Sequence, residues 1–229
     1  MVLYPIISDS MSKKIGVVSE GVSDYRLIQH ITDRFLKTKE GEEFYTIRLN
    51  PKEERNKQVG FGAWQGVFKY ISNELIAEAL EEGCEYVIVQ IDTDVCDYYN
   101  VPHDLTNVEA LWKNVCKKLE DSVHPDFDRS KLIYAICIDE IECWLIPFVD
   151  EDKKRCANMD RCLNILNGDI HKRGLFIDKD NKNSTGAQKA YDYILKQKKK
   201  PKEIKKCSES NYGFKKFIEQ LDSLAPDKE

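Results

Sequence analysis

The stretch EYVIVQIDTD, Glu85 to Asp94, decides the fold class. Tyr86–Ile91 is almost uninterrupted apolar sequence rich in β-branched residues, too short for a stable helix and bounded by Gly83 and by a polar Asp92-Thr93-Asp94 terminus. That is the pattern of a strand buried on both faces, and such strands belong to parallel sheets covered by helices. Two further runs repeat it. KKIGVVS (Lys13–Ser19) precedes Glu20-Gly21, and LIYAICI (Leu132–Ile138) precedes Asp139-Glu140-Ile141-Glu142. FYTIRL (Phe44–Leu49) is a fourth, more amphipathic strand.

Helical patterns separate the strands. Ser23 is expected to cap a helix reaching about Leu36, with Leu27, Ile28, Ile31 and Phe35 on one face. Trp64–Glu82 has helical spacing and a natural stop at Gly83, and a third helix is expected from about Asn107 to Glu120. The segment after Asp139 is expected to begin a helix that stops near Pro147. The polar stretch Asn50–Gly62 reads as a loop, and residues 1–10 as a loose tail before a second methionine, Met11. Alternating strands and helices predict an α/β, Rossmann-like, mostly parallel four-stranded sheet with helices on both faces.

Beyond about residue 151 the strand signal fades. Cys156–Leu166, Thr185–Lys198 and Tyr212–Leu224 read as helices, and Gly174–Ser184 as a polar loop. The expected organisation is an α/β domain over 1–151 followed by a basic helical extension over 152–229. The net charge of −5 conceals this division: residues 1–152 hold 16 Lys+Arg against 29 Asp+Glu, and residues 153–220 hold 18 against 8. The second span, with Lys153-Lys154-Arg155, Lys172-Arg173, Lys189, Lys196, Lys198–Lys200, Lys205-Lys206 and Lys215-Lys216, offers a phosphate track. Trp144, Tyr191, Tyr193, Tyr212 and Phe214 are read as core aromatics. The eight cysteines form no CxxC pair and are expected to be reduced, mostly buried thiols of a cytoplasmic protein. No run of about 18 apolar residues suggests a membrane span.

In a parallel sheet the carboxyl ends of the strands share one rim, where ligands bind. Glu20, Asp92, Asp94, Asp139 and Glu140 all follow strands, so adjacency of the first and third strands would gather them there. Carboxylates held that close repel one another unless a cation joins them. Magnesium accepts a few carboxylates and keeps several waters. Asp92 and Asp94 point to one side of an extended chain, and Asp97 can join them around a turn. Glu20 is a candidate metal ligand or general acid/base. On a helix Glu142 stands about 200° from Glu140 and shares a face with Asp139. Either Asp139 with Glu142, or Glu140 alone, is therefore expected to face the metal.

Val18–Leu27 (VSEGVSDYRL) and Val89–Asp94 (VQIDTD) resemble the Glu-Gly and DxD motifs of Toprim domains, with the Ser23-Asp24 step of the branch close to OLD-family nucleases. Ile138–Leu145 (IDEIECWL) is similar to a Glu-rich segment of small Toprim-like proteins from bacterial defence loci. The resemblance spans roughly residues 13–145. It implies Mg2+- or Mn2+-dependent cleavage of DNA or RNA, with Glu20 as the catalytic glutamate, Asp92 and Asp94 as the metal-binding pair, and Asp24 as a supporting acid. It also implies a role as a toxic effector in phage defence with an ATPase partner protein, while the helical second half offers surface for a homo-oligomer. Where the DxD motif continues, Val95-Cys96-Asp97 replaces a glycine-rich acidic turn, which bears on a second metal. The rival readings are a haloacid-dehalogenase-like phosphatase with Asp92 as nucleophile, and a non-catalytic partner-binding module.

Overall fold

The strand that contains Tyr86–Ile91 lies second from one edge of a four-stranded sheet in the computed structural model, which describes residues 12–37, 44–50 and 64–224. The strands are β1 (Lys13–Val18), β2 (Phe44–Arg48), β3 (Cys84–Asp92) and β4 (Leu132–Cys137). Their order is β2-β1-β3-β4, and every pairing is parallel. The expected α/β sheet is thus present. Apart from Asn50, the expected loop over Asn50–Gly62 and the expected tail at 1–10 lie outside the described residues.

α1 (Val22–Phe35) covers one face, against Ile15, Val17 and Ile88. α2 (Trp64–Ile71), α3 (Leu75–Glu81) and α4 (Val108–Ser122) cover the other, against Val18, Val87, Val89, Ile91 and Ile136. The β1–β2 connection moves one way along the sheet and the later connections move the other way. The β3–β4 half of the α1 face is filled by the remaining helices. These are α5 (Ile146–Val149), α6 (Lys153–Cys156), α7 (Cys162–Ile170), α8 (Thr185–Leu195), α9 (Pro201–Ser208) and α10 (Tyr212–Asp222). Trp144, Phe148, Phe214 and Phe217 are fully or almost fully buried in the same core cluster as Ile133, Ala135 and Cys137. The ring of Trp144 stacks on Phe214 at 4.8 Å between centroids.

Several local expectations are corrected. Gly21, extended at φ −139°, occupies the cap position of α1, and Ser23 instead donates its hydroxyl to Asp24 Oδ1 at 3.1 Å. The helix expected over Trp64–Glu82 breaks between Ile71 and Leu75, where Asn73 Oδ1 accepts the Leu75 N–H and turns the chain. Gly83, at φ +90°, ends the second piece as expected. Pro147 sits in the first turn of α5 rather than stopping a helix, because a first-turn residue needs no N–H. The segment Cys156–Leu166 splits into α6 and α7. α9, which begins at Pro201, is an additional helix. Two of the eight cysteines, Cys143 and Cys162, are joined in a disulfide, and six are free.

Candidate active site

In this strand order the chain leaves β1 toward β2 and returns on the other side to β3. The crevice at the carboxyl ends of β1 and β3 is therefore the topological switch point, where α/β sheets bind ligands. Glu20 follows β1 there, and Asp92 ends β3. The Asp92 N–H donates to Glu20 Oε1 at 2.8 Å, which fixes one glutamate oxygen across the crevice. Beneath them Gln90, fully buried in β3, accepts the Glu20 N–H at 3.0 Å and donates to Asp92 Oδ1 at 2.8 Å. A polar residue inside an apolar strand needs such partners, and its position in VIVQID was the available signal for this missed residue.

The rim is set by the ends of β3 and β4. Asp139 takes a left-handed conformation at φ +64°. Its carbonyl accepts the N–H groups of Thr93 and Asp94, and Thr93 Oγ1 accepts the Asp139 N–H at 2.8 Å. This lock turns the following chain. Glu140 is extended, and Ile141–Trp144 forms a 3₁₀ turn rather than an α-helix. Glu140 and Glu142 consequently converge on one cation, whereas helical spacing placed them apart. Lys182 Nζ lies 2.7 Å from Glu142 Oε1 and 3.5 Å from Glu140 Oε2. Glu142 is completely buried and also accepts the Tyr191 hydroxyl hydrogen bond at 2.6 Å, while its Oε2 has no partner. The Asp139 carboxylate lies within 4.8 Å of the Cys143 and Cys162 sulfurs and still feels the charges of Glu140 and Asp94.

Lys182 and Tyr191 were not legible as site residues. They come from the loop before α8 and from α8 itself, some forty to fifty residues beyond the glutamates, so no local pattern links them. Asp97 is not part of the assembly: it is exposed and accepts the His103 N–H at 3.1 Å. Asp94 stands at the solvent-facing mouth.

The electrostatics follow from packing acids together. Burial, opposed by the Asp92 N–H and increased by Asp24 and Asp94, pushes the Glu20 carboxyl up to about 8. Burial and Glu142 push Asp24 to about 6. Burial and the charges of Glu20, Asp24 and Glu142 hold Asp92 well above the usual carboxylate range. Burial and Glu140 push Asp139 to about 6. For Lys182, burial disfavours the charge, but the pull of Glu142 wins and raises its pKa. The lysine charge also acts on Glu20, Asp24, Asp92 and Asp94.

Glu20, Asp24, Asp92 and Asp94 offer carboxylate oxygens alone; no three of them lie within 4.8 Å of one another, and a magnesium-type ion needs only one or two such ligands. The unpartnered Glu142 oxygen and the strained acids mark a place where one more cation would relieve repulsion. Among the described residues, three ligating groups lie within 4.8 Å of one another at Asp139, Cys143 and Cys162. The two sulfurs there are bonded to each other, which takes both thiolates out of use as ligands. No helix of the described residues is long and apolar enough to cross a membrane. Compared with protein-family models, curated proteins and solved structures, the chain matches none.

Proposed function

We propose that the chain is a divalent-metal-dependent phosphodiesterase acting on nucleic acid, with Glu20, Asp92 and Asp94 as its reactive carboxylates. The observation that carries this reading is that Glu20 and Asp92 meet at the β1/β3 switch point, with Glu20 bound to the Asp92 amide and Asp94 two residues further on at the exposed mouth. The Toprim resemblance supplies the reaction class, and the strands that carry its two motifs, β1 and β3, are neighbours in the sheet.

Asp92 and Asp94, with Asp24 behind them, are the residues to hold a magnesium or manganese ion. When bound, such an ion supplies charge neutralisation at a phosphoryl oxygen. The chain's own groups have separate tasks. Glu20 has one oxygen occupied by the Asp92 N–H, which leaves the second for proton transfer or metal ligation. Gln90 holds Glu20 and Asp92 in register. Lys182, paired with Glu142 and Glu140, places a positive charge beside the crevice that acts on Glu20, Asp24, Asp92 and Asp94. Glu140, Glu142 and Tyr191 hold that lysine in place.

Incubation with single-stranded DNA, duplex DNA and RNA in manganese should yield cleavage that Glu20→Ala and Asp92→Ala abolish without changing the circular dichroism spectrum. Calorimetry should show manganese binding to the wild type and not to Asp92→Ala. Absence of cleavage by the wild type would overturn the reading, whether or not the metal binds.

A further inference from the structure

A cleft of about 420 Å³ runs between α1 and α8. It starts beside Ser23 and Lys182, where both helices begin, and extends to Leu195. Its inner end therefore touches the carboxylate centre, because Lys182 is bound to Glu142. Arg26, His30 and Arg34 line it from α1. These occupy positions i, i+4 and i+8, a single stripe in which each step rises about 6 Å along the axis.

Neither Arg26 nor Arg34 is ion-paired among the described residues, in contrast with many cations of the basic second span. Arg155 pairs with Asp150 and Asp169, Lys198 with Glu151, Lys205 with Asp222, Lys215 with Glu209 and Lys216 with Glu219. His30 Nε2 is buried between the arginines without a partner. Of the two acids in the cleft wall, Asp33 is turned to β2, where it accepts the Thr46 hydroxyl at 3.1 Å, and Asp192 lies near His30. A second cleft, beside Asp94, Asp139, Glu140 and Asp160, carries a surplus of acids that would repel a polyanion.

We propose that the α1/α8 cleft binds the sugar–phosphate backbone of a single nucleic-acid strand, with Arg26 and Arg34, about 12 Å apart along the helix axis, on phosphates two positions apart and Lys182 at the entrance to the carboxylate centre. The assignment rests on the phosphodiesterase reading and names the surface that delivers its substrate. The cleft volume lies in the range of small-ligand pockets, which suits a few atoms of one strand and excludes a duplex. Unpaired arginines are the side chains best suited to phosphate oxygens.

The test is anisotropy of a short labelled single strand in EDTA, where no metal-dependent cleavage occurs. Arg26→Ala/Arg34→Ala should weaken binding about tenfold at low salt and reduce the slope of log K against log salt by about 1.4. Lys117→Ala/Lys118→Ala, on α4 across the sheet, should bind as the wild type does. The proposal is overturned if the wild type does not bind the strand, if the arginine variant keeps wild-type affinity and slope, if the lysine variant loses as much, or if a duplex competes equally. Manganese cleavage of the same strand separates the two readings. Cleavage with arginine-independent binding removes the cleft alone, and arginine-dependent binding without cleavage removes the catalytic reading alone.

Discussion

Burying a carboxylate costs several kcal/mol unless a cation or a proton accompanies it. Glu142 has Lys182 for this purpose, but Glu20 has no ion pair among the described residues and meets the cost through its raised pKa. The consequence for stability has a definite sign. An unfolded glutamate ionises near 4.5, whereas Glu20 in the fold ionises near 8, so the native state binds more protons across that interval. Stability without metal should therefore be greatest below pH 4.5 as far as this residue is concerned. It should fall as pH rises to 8 and level off above. Glu20→Gln should raise the thermal midpoint at pH 8 and leave it nearly unchanged at pH 5. Manganese should stabilise the wild type most at pH 8, since a cation then replaces the missing proton. Equal midpoints for Glu20→Gln and wild type at both pH values would show that Glu20 is not strained.

At the scale of elements, β4 is an edge strand, and α10 shields it. Gln220 accepts the Tyr134 N–H at 2.9 Å and donates to the Tyr134 carbonyl at 3.0 Å, as a neighbouring strand would. The approach requires glycine at 213, where a Cβ would overlap the Ile136 carbonyl oxygen. Gln220→Ala should cost about 2 kcal/mol for the two hydrogen bonds lost to Tyr134, and Gly213→Ala more, because the helix must move off the strand. Urea unfolding measures both, and the Tyr134 amide should exchange faster with solvent in each. Gly213→Ala unfolding at the wild-type midpoint would contradict this packing. The strands were legible because apolar runs such as LIYAICI encode burial locally. Helix breaks were less so: the turn at Ser72-Asn73-Glu74 and the gap between Cys156 and Cys162 interrupt spacing that still looks continuous. α9 was hidden by its lysine-rich approach, Lys198–Lys200. Glu20, Asp92 and Asp94 could be gathered from strand order, but the Glu140–Glu142–Lys182 group depends on the left-handed turn at Asp139, which no spacing rule contains.

For the whole molecule, the central issue is how the sheet and the later helices become one core. The β4 exit carries Cys143, Trp144 and Phe148 into a cluster that also contains Cys162, Leu166, Phe214 and Phe217. The Cys143–Cys162 bond joins that exit to the start of α7, and the two cysteines are 19 residues apart. Leu163, the next residue, donates its N–H to Glu140 Oε1 at 3.2 Å, so the same junction supports the carboxylate rim. Closing a loop of that size removes enough freedom from the unfolded chain to contribute about 3 kcal/mol in the chain-entropy account. Non-reducing alkylation of the denatured protein should therefore label six cysteines, and labelling should reach eight after reduction. Reduction should lower the urea midpoint of the wild type and leave that of Cys143→Ala/Cys162→Ala in place. Eight labelled cysteines before reduction would return both sulfurs to the thiol state expected from sequence, and the junction would then rest on apolar packing and the Glu140 hydrogen bond alone.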